Sequence, residues 1–262
     1  MIKRLNIKEF HETNYCPAWL RDYLTDFLSF FTYHLNPYKT ACQLLKTAMT
    51  QAKQQQIIDF CGGNGRYMIK ILRNINGSTG KCRAVVCDKF PNQQSVKELA
   101  VLSDGQVEYM AESVDLLDIQ PLPTGFRTIF SGIHHFDETT IKTFISSAIE
   151  QGSGVAFFDY TKRTWFNIII PALLVPGLVW GVTPFIRPFS WHRLLFTYII
   201  PLVPLLVMVD GCISNWKAYS PLEFTAMVDE FTDADYLWQI GEHKAIFGTC
   251  PVTYLIGYPK KN

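Results

Sequence analysis

The sequence predicts a doubly wound α/β domain, in which helices cover both faces of a mostly parallel β-sheet. Three observations indicate this class: short apolar runs with strand character, polar helix-compatible segments between them, and a length of 262 residues that suits one elaborated domain. The first five strands are predicted at IIDF (57–60), AVVC (84–87), VEYM (107–110), TIFS (128–131) and VAFF (155–158).

Helices are predicted before and after this strand pattern. Residues 17–31 repeat apolar side chains at i, i+3 and i+4, and the Asn36-Pro37 pair ends that helix. A second helix follows through Leu44 and Ala48. Near the other end of the chain, 221–231 is predicted as a helix, and YLWQIG and VTYLIGY are predicted as two closing strands.

The overall composition excludes some classes of protein. With 24 Lys plus Arg against 23 Asp plus Glu, a net charge of +1 gives no field that would attract nucleic acid. Seven cysteines without a CxxC pair or nearby histidine ligands indicate reduced thiols rather than disulfides or structural zinc, and we predict no metal site. The first 15 residues contain no apolar run of signal-peptide length, so an intracellular protein is expected.

Apolar residues make up 48% of the chain and are concentrated in one segment. Trp165 to Ile186 and Leu194 to Val209 contain no charged residue, but the second run is shorter than the roughly 20 residues that span a bilayer. We therefore predict an interface-lying or re-entrant hairpin, with its arginines near phosphate headgroups; a buried subdomain and a dimer surface are the alternatives. Prolines are expected to interrupt both runs: Pro171, Pro176, Pro184, Pro201 and Pro204.

These patterns divide the chain into three parts. Residues 1–50 are predicted to form an N-terminal helical lid, 51–163 and 210–262 the core, and 164–209 the hydrophobic, membrane-associating hairpin. The hairpin lies between the fifth strand and the last helix.

The residues that follow the first strand, Asp59-Phe60-Cys61-Gly62-Gly63-Asn64-Gly65, are candidates for a ligand-binding loop. Ligands of such sheets bind at the carboxyl ends of the strands, and glycines let the backbone approach a ligand closely. The third residue after Gly65 is Met68, so the GxGxxG pattern of nicotinamide dinucleotide sites is absent. No Gly-Lys-Ser or Gly-Lys-Thr follows, which excludes a Walker A loop.

Two further strand ends carry polar residues. Asp88 ends the second strand, where a carboxylate can accept hydrogen bonds from both hydroxyls of a ribose. Glu112, Ser113 and Val114 follow the third strand, where a polar side chain and a backbone N–H could bind adenine. A nucleoside ligand without a pyrophosphate is therefore favoured.

This order of an acid, a glycine-rich loop, a second acid and a polar-apolar pair resembles the class I S-adenosylmethionine-dependent methyltransferases. The resemblance extends to Glu12–Phe31, to SGIHHFDE and to the stretch from Thr183 to Phe224, and so to a bacterial branch of that superfamily. It implies a Rossmann-like sheet with an antiparallel closing strand, S-adenosylmethionine as cofactor, and these cofactor-binding residues: Asp59, Cys61, Gly62, Gly63, Gly65, Asp88, Glu112, Ser113, Val114, Ser131 and Gly132. Cys61 stands where the family usually has its first glycine, so a shifted turn is expected.

The candidate catalytic residues lie at other strand ends. His134 and His135 follow the fourth strand, and we expect one to face the pocket as a base and the other to face the helix behind it, unless both are structural. Asp159 ends the fifth strand and either orients the acceptor or pairs with the basic residues at 162 and 163. Tyr15 is a pocket candidate or a core residue.

Together these features predict an enzyme that methylates a small hydrophobic or lipid-like acceptor at the cytoplasmic face of a membrane, with membrane contact through 165–209. One alternative is a catalytically silent, membrane-anchored scaffold that binds S-adenosylmethionine. The other is a nicotinamide-dependent oxidoreductase, which Met68 opposes.

Overall fold

The computed structural model describes residues 2–77, 81–116, 124–232, 234–243 and 251–260. Within these residues seven strands form one sheet in the order β3-β2-β1-β4-β5-β7-β6. The strands are β1 (Gln56–Phe60), β2 (Arg83–Val86), β3 (Val107–Tyr109), β4 (Phe126–Phe130), β5 (Val155–Asp159), β6 (Tyr236–His243) and β7 (Val252–Pro259).

Strand direction confirms the predicted fold class. Strands β1 to β5 pair in parallel, whereas β7 runs antiparallel to both β5 and β6. Strand β4 starts two residues earlier than predicted, and Ser131, its predicted last residue, lies just beyond it with a left-handed φ of 54°. Most of the loop predicted between the two closing strands lies outside the described residues.

Helices cover both faces of the sheet. On one face lie α2 (Ala41–Gln51) and α3 (Arg66–Asn76), which bury Leu45, Met68 and Leu72 against the strands. The other face carries α5 (Glu138–Glu150) and α9 (Pro221–Val228), which bury Phe144 and Phe224 there. Helix α4 (Gln93–Leu102) packs beside β3, at the edge of the sheet. Two separate apolar layers therefore hold the strands, as a doubly wound sheet requires.

Helix α1 (Ala18–Leu35) begins one residue later than predicted and continues four residues further. It ends at Asn36, whose left-handed φ of 48° and backbone N–H to Thr32 O close the last turn. Leu20, Leu24 and Phe27 on its apolar face form a third cluster with the apolar segment that follows β5. The predicted lid helix thus packs on the insert and also on α3, a helix that covers the sheet.

The apolar insert is helical and longer than predicted. It consists of α6 (Trp165–Val182), a 3₁₀ turn at Thr183–Phe185, α7 (Trp191–Leu194) with a π-helical turn, and α8 (Leu202–Lys217). The predicted boundary at 209 cuts through α8. This helix continues as far as Lys217 because its polar second half has buried partners in the N-terminal segment.

The expectation that prolines break the first apolar run is wrong for Pro171 and Pro176, which lie inside the uninterrupted helix α6, whereas Pro184 lies in the 3₁₀ turn that follows it. Proline has a helical φ, and α6 accommodates both the lost hydrogen bonds and the crowding of the preceding turns by the two rings. The second run does break, at Ile200-Pro201, where the axes of the two helical pieces meet at 73°.

Much of the insert is exposed. The segment Trp165–Phe185 is long and apolar enough to cross a membrane, and only 17% of its most apolar window is buried. The bent pair Trp191–Ile199 and Leu202–Lys217 passes the same test as a unit. Exposed apolar side chains include Trp165, Phe166, Ile169, Leu173, Leu174, Leu178, Phe185, Phe189, Trp191, Ile199 and Leu205.

Candidate active site

A cavity of about 270 Å³ lies at the carboxyl ends of the parallel strands, beneath α1. It is lined by residues of the loops that follow β1, β2, β3 and β4, His135 among them, and by residues of α1 and the N-terminal segment. Seven of the predicted cofactor residues line it: Cys61, Gly62, Gly63, Asp88, Val114, Ser131 and Gly132.

The loop after β1 makes a tight left-handed turn. Cys61 has a φ of 57° and Gly63 a φ of 56°, and the N–H of Gly62 donates to Cys87 O at 3.1 Å. A Cβ atom on Gly62 would lie 2.1 Å from Cγ1 of Val86, so only glycine fits against β2 there. The loop thus forms with cysteine at its first left-handed position.

Asp88 is held rigidly at the cavity wall. Its Oδ2 accepts from the backbone N–H of Gly63 and its Oδ1 from that of Phe90, both at 2.8 Å. Burial raises the pKa of this carboxyl, and the two hydrogen bonds partly oppose that rise. Each carboxylate oxygen keeps a further lone pair, so Asp88 is oriented and still able to accept hydrogen bonds from a ligand.

Asp59 lies below the cavity rather than in its wall. Its side chain is fully buried and accepts from Tyr67 Oη at 2.5 Å and Thr128 Oγ1 at 2.6 Å. Burial raises the pKa of Asp59 to about 7. Gly65 is also outside the lining; it precedes α3 with a φ of 67°. Both residues support the loop without facing the cavity.

Glu112 and Ser113 follow β3 as predicted, but contrary to the prediction they do not line the cavity. Both side chains are exposed, and Ser113 Oγ donates to Lys89 O at 2.7 Å. The N–H of Val114 donates to Asp88 O at 3.0 Å, which draws the chain inward only from that residue onward. The side chains that line the cavity at this edge are Val114, Asp115 and Leu116.

His135 also lines the cavity. Its Nδ1 is hydrogen-bonded to Oε1 of Glu12, and the ring also lies against Glu9. Burial lowers the pKa of His135, so the imidazole is neutral near pH 7. Burial alone would raise the pKa of Glu12, but the hydrogen bonds and charges of His135 and Lys217 outweigh it and hold that pKa well below its usual value.

His134 points away from the cavity, into the protein. Its Nδ1 lies 2.6 Å from Oδ2 of Asp159, while Oδ1 of Asp159 accepts from the N–H and hydroxyl of Thr161 at 2.8 and 2.7 Å. One histidine thus faces the pocket and the other does not. Asp159 orients His134 rather than an acceptor, and it pairs with neither Lys162 nor Arg163, which bind other carboxylates.

Tyr15 lies outside the site. Its side chain is 88% exposed in the turn before α1 and does not line the cavity. The turn directs it outward because the neighbouring Cys16 is the residue that packs inward, against the apolar cluster of α1. The prediction of a pocket or core role for Tyr15 is therefore wrong.

The sequence analysis missed a buried polar cluster beside His135. Lys217 Nζ lies 3.2 Å from Glu9 Oε1 and 2.8 Å from Glu12 Oε1, and all three side chains are largely buried. Asp210 accepts from the backbone N–H groups of Phe10 and His11. The signal in the sequence was a pair of charged residues in the second half of an otherwise apolar helix, α8.

Two groups within this cluster have the spacing of metal ligands: Glu9 with His134 and His135, and Glu9 with His11 and Asp210. Both depend on the Glu9 carboxylate. Because Lys217 already lies against that carboxylate, the cluster is an ion-pair network with its own cation. It holds the N-terminal segment and the insert together at the site.

Sequence comparison finds no matching family model and no matching curated protein. Solved structures do match. The plantazolicin methyltransferase BpumL, solved in complex with SAH, aligns with a TM-score of 0.52 at 9% identity and covers 93% of this chain and 96% of its own. Human N-acetylserotonin methyltransferase, solved in complex with SAM, aligns with a TM-score of 0.50 at 12% identity over 97% of this chain.

An O-methyltransferase family protein from Burkholderia thailandensis aligns with a TM-score of 0.48 at 17% identity. This chain spans 57% of the Burkholderia protein and 63% of the human enzyme. The strand order, the closing antiparallel strand and the BpumL alignment together show that the protein has the fold of the class I S-adenosylmethionine-dependent methyltransferases.

Proposed function

We propose that this protein transfers a methyl group from S-adenosylmethionine to a small hydrophobic or lipid-like acceptor at a membrane surface. The observation that carries the proposal is one cavity that brings two kinds of group together. The glycine loop and Asp88 line it, and so does a neutral His135 oriented by Glu12.

The residues present fit S-adenosylmethionine. Gly63 lines the cavity at a φ of 56°, and a Cβ atom there would reach within 3.4 Å of Thr25 in α1, so glycine keeps the space between loop and lid open. Asp88 would hold the ribose hydroxyls, Val114 and Leu116 would pack on the base, and Ser131 would lie near the methionine part. When bound, the cofactor would supply an already activated methyl group.

The chain's own residues would orient the acceptor, exclude water and remove a proton. Nδ1 of His135 donates to Glu12, which leaves Nε2 of the neutral ring as the proton acceptor. Leu24, Leu28 and Phe136 line the same cavity and favour an apolar acceptor. Closure by α1 would keep water from competing for the methyl group.

The exposed face of the insert supports membrane contact. Leu173 is 71% exposed and Trp191 78%, and an apolar surface of this extent is unusual in a soluble monomer. Arg193, expected near phosphate headgroups, is instead buried and pairs with Asp26 at 2.5 Å. Arg187 is exposed on the same segment. The cysteines of the described residues are free thiols, in keeping with the cytoplasmic side of the membrane.

We expect Asp88→Ala to weaken S-adenosylmethionine binding by about 1.5 to 3 kcal/mol, roughly 10- to 150-fold, because a charged acceptor for ribose hydroxyls is lost. Isothermal calorimetry measures the affinity, with Glu108→Ala, an exposed carboxylate on β3, as the matched control. Unchanged affinity in a folded Asp88→Ala protein would contradict the assigned role of Asp88.

We expect Leu173→Glu and Trp191→Glu each to weaken binding to phosphatidylcholine vesicles by about 2 kcal/mol, roughly 30-fold, because each removes a buried apolar contact with the lipid. Vesicle flotation measures the binding. Val101→Glu is the matched control, since Val101 is 78% exposed on α4 and does not belong to the insert. A wild-type protein that stays monomeric without detergent and ignores vesicles would disprove the membrane contact.

The reaction itself is tested by incubating the purified protein with methyl-labelled S-adenosylmethionine and a membrane lipid extract. We expect label in an apolar, organic-soluble product and an equal amount of demethylated cofactor. A protein that binds cofactor and vesicles but releases no demethylated cofactor with any membrane or metabolite extract would be the silent scaffold instead.

A further inference from the structure

A second cavity, of about 560 Å³, opens on the surface beside the first. It is lined by residues of α1 and α3 and by Phe185, Ile186 and Arg187, which follow the first insert helix. The two cavities share Ser29 and Asn64 as lining residues. A ligand in the second cavity would therefore lie next to the candidate active site and next to the exposed apolar face of the insert.

Positive charge dominates this second cavity. Arg66, Arg73 and Arg187 all line it. Arg66 forms an ion pair with the half-exposed Glu98, whereas, among the described residues, no carboxylate lies within ion-pair distance of Arg73 or Arg187. The one carboxylate in the lining, Asp26, is already paired with the buried Arg193. The cavity thus has an excess of guanidinium groups, the side chains best suited to bind a phosphate.

A buried hydroxyl without a partner lines both cavities. Ser29 is 4% exposed, and within the described part of the chain its Oγ has no hydrogen-bond partner. A buried polar group is normally satisfied, so an unsatisfied one in a cavity wall is a ready donor for a ligand oxygen. This hydroxyl is independent of the arginines, because Ser29 belongs to α1, whereas Arg66 and Arg73 belong to α3 and Arg187 to the insert.

The rest of the lining is apolar. Phe30, Leu102 and Ile186 line the cavity, and Phe185, which is 67% exposed, both lines it and ends the membrane-length segment Trp165–Phe185. The charged cavity is therefore continuous with the apolar face of the insert. A ligand that matches both surfaces has an anionic head and a hydrocarbon tail.

We propose that this second cavity binds the phosphate group of an anionic phospholipid, with Arg66, Arg73 and Arg187 around the phosphate, Ser29 donating to a headgroup oxygen, and the acyl chains lying along the insert. The inference rests on the proposed membrane contact and does not depend on methyl transfer. In this proposal Arg187, the exposed arginine of the insert, binds the phosphate together with Arg66 and Arg73 of α3.

The first test compares binding of the full-length protein to vesicles of phosphatidylcholine with and without phosphatidylglycerol. We expect phosphatidylglycerol to strengthen binding, and Arg73→Glu and Arg187→Glu each to reduce this binding by about 30-fold, while binding to neutral vesicles is kept. Arg83→Glu, an equal charge change at an exposed position on β2, is the matched control and should have little effect. Equal losses in the control and the two variants would overturn the site.

The second test uses a monomeric short-chain phosphatidylglycerol, titrated by calorimetry, so that the site is measured without a bilayer. We expect Ser29→Ala to lower this affinity about tenfold with no loss of thermal stability, because the hydroxyl has no protein partner to lose. Unchanged affinity in Ser29→Ala, or inorganic phosphate binding as tightly as the lipid, would overturn the proposal. Binding of the short-chain lipid by a protein that ignores all vesicles would retain the cavity and refute only the membrane contact.

Discussion

His135→Ala is expected to lower turnover by about 10²- to 10⁴-fold while leaving S-adenosylmethionine affinity nearly unchanged. The side chain lines the same cavity as the candidate cofactor residues, and Glu12 fixes its tautomer so that Nε2 can accept a proton. Because burial lowers the pKa of His135, the base is lost only when the pH falls below the ordinary histidine value of 6.5. The acid limb of the rate profile should therefore lie below that value and disappear in the variant.

His243→Ala is the matched control for this substitution, because His243 stacks on Tyr254 in the closing strands and does not line the cavity. His134→Ala should instead lower thermal stability, since it leaves the buried Asp159 carboxylate without its imidazole partner. If His135→Ala keeps the wild-type rate in a folded protein, the reaction proceeds by positioning alone and His135 is structural.

Lys217→Met is expected to destabilise the protein by about 3 to 5 kcal/mol. The change removes the cation from two largely buried carboxylates, those of Glu9 and Glu12, and an unpaired buried charge costs far more than a surface ion pair contributes. Chemical denaturation measures the free energy of unfolding. Lys142→Met, which breaks the exposed pair with Glu230, is the control and should cost less than about 1 kcal/mol.

The same cluster predicts a pH dependence of stability. The pKa values of Glu9 and Glu12 are lower in the folded protein than their usual 4.5, because nearby histidines and Lys217 outweigh the opposing effect of burial. Their contribution to stability is complete above that value and is lost as the pH falls through the folded pKa values. Adding Glu9→Gln to Lys217→Met should recover part of the lost stability near pH 7. If stability is not recovered, the loss in Lys217→Met comes from packing of the lysine side chain rather than from its charge.

The sheet was predictable because strand periodicity and strand-end chemistry are local. Because helices bury each strand on both faces, the strand appears in the sequence as a continuous apolar run. The residues after β1, β2 and β4 reach the cavity through short turns, so their place in the site follows from their place in the sequence. The prediction failed where one local hydrogen bond decides direction: the bond from Val114 to Asp88 leaves Glu112 and Ser113 outside. Asp59 was misplaced because its hydroxyl partners, Tyr67 and Thr128, come from other elements.

The polar cluster beside His135 could not be predicted from the same reasoning. Glu12 and Lys217 are 205 residues apart, and their contact depends on how α8 returns from the insert to the N-terminal segment. Hydrophobic patterning fixes which face of a helix is buried, but not which distant charge it meets. The insert was recognised because its sequence has almost no charged residues. Its continuous first helix was not predicted, because Pro171 and Pro176 indicated breaks in that segment.

The strand order also constrains how the protein is made on the ribosome. Strand β7 inserts between β5 and β6, yet it follows the apolar insert along the chain. The nascent chain therefore exposes α6 and α8 before β7 can cover the edge of β5. During that interval the chain exposes both an unpaired strand edge and two uncovered apolar helices. Surfaces of both kinds promote aggregation of nascent chains. Synthesis beside a membrane, or with a chaperone holding the helices, removes one of the two.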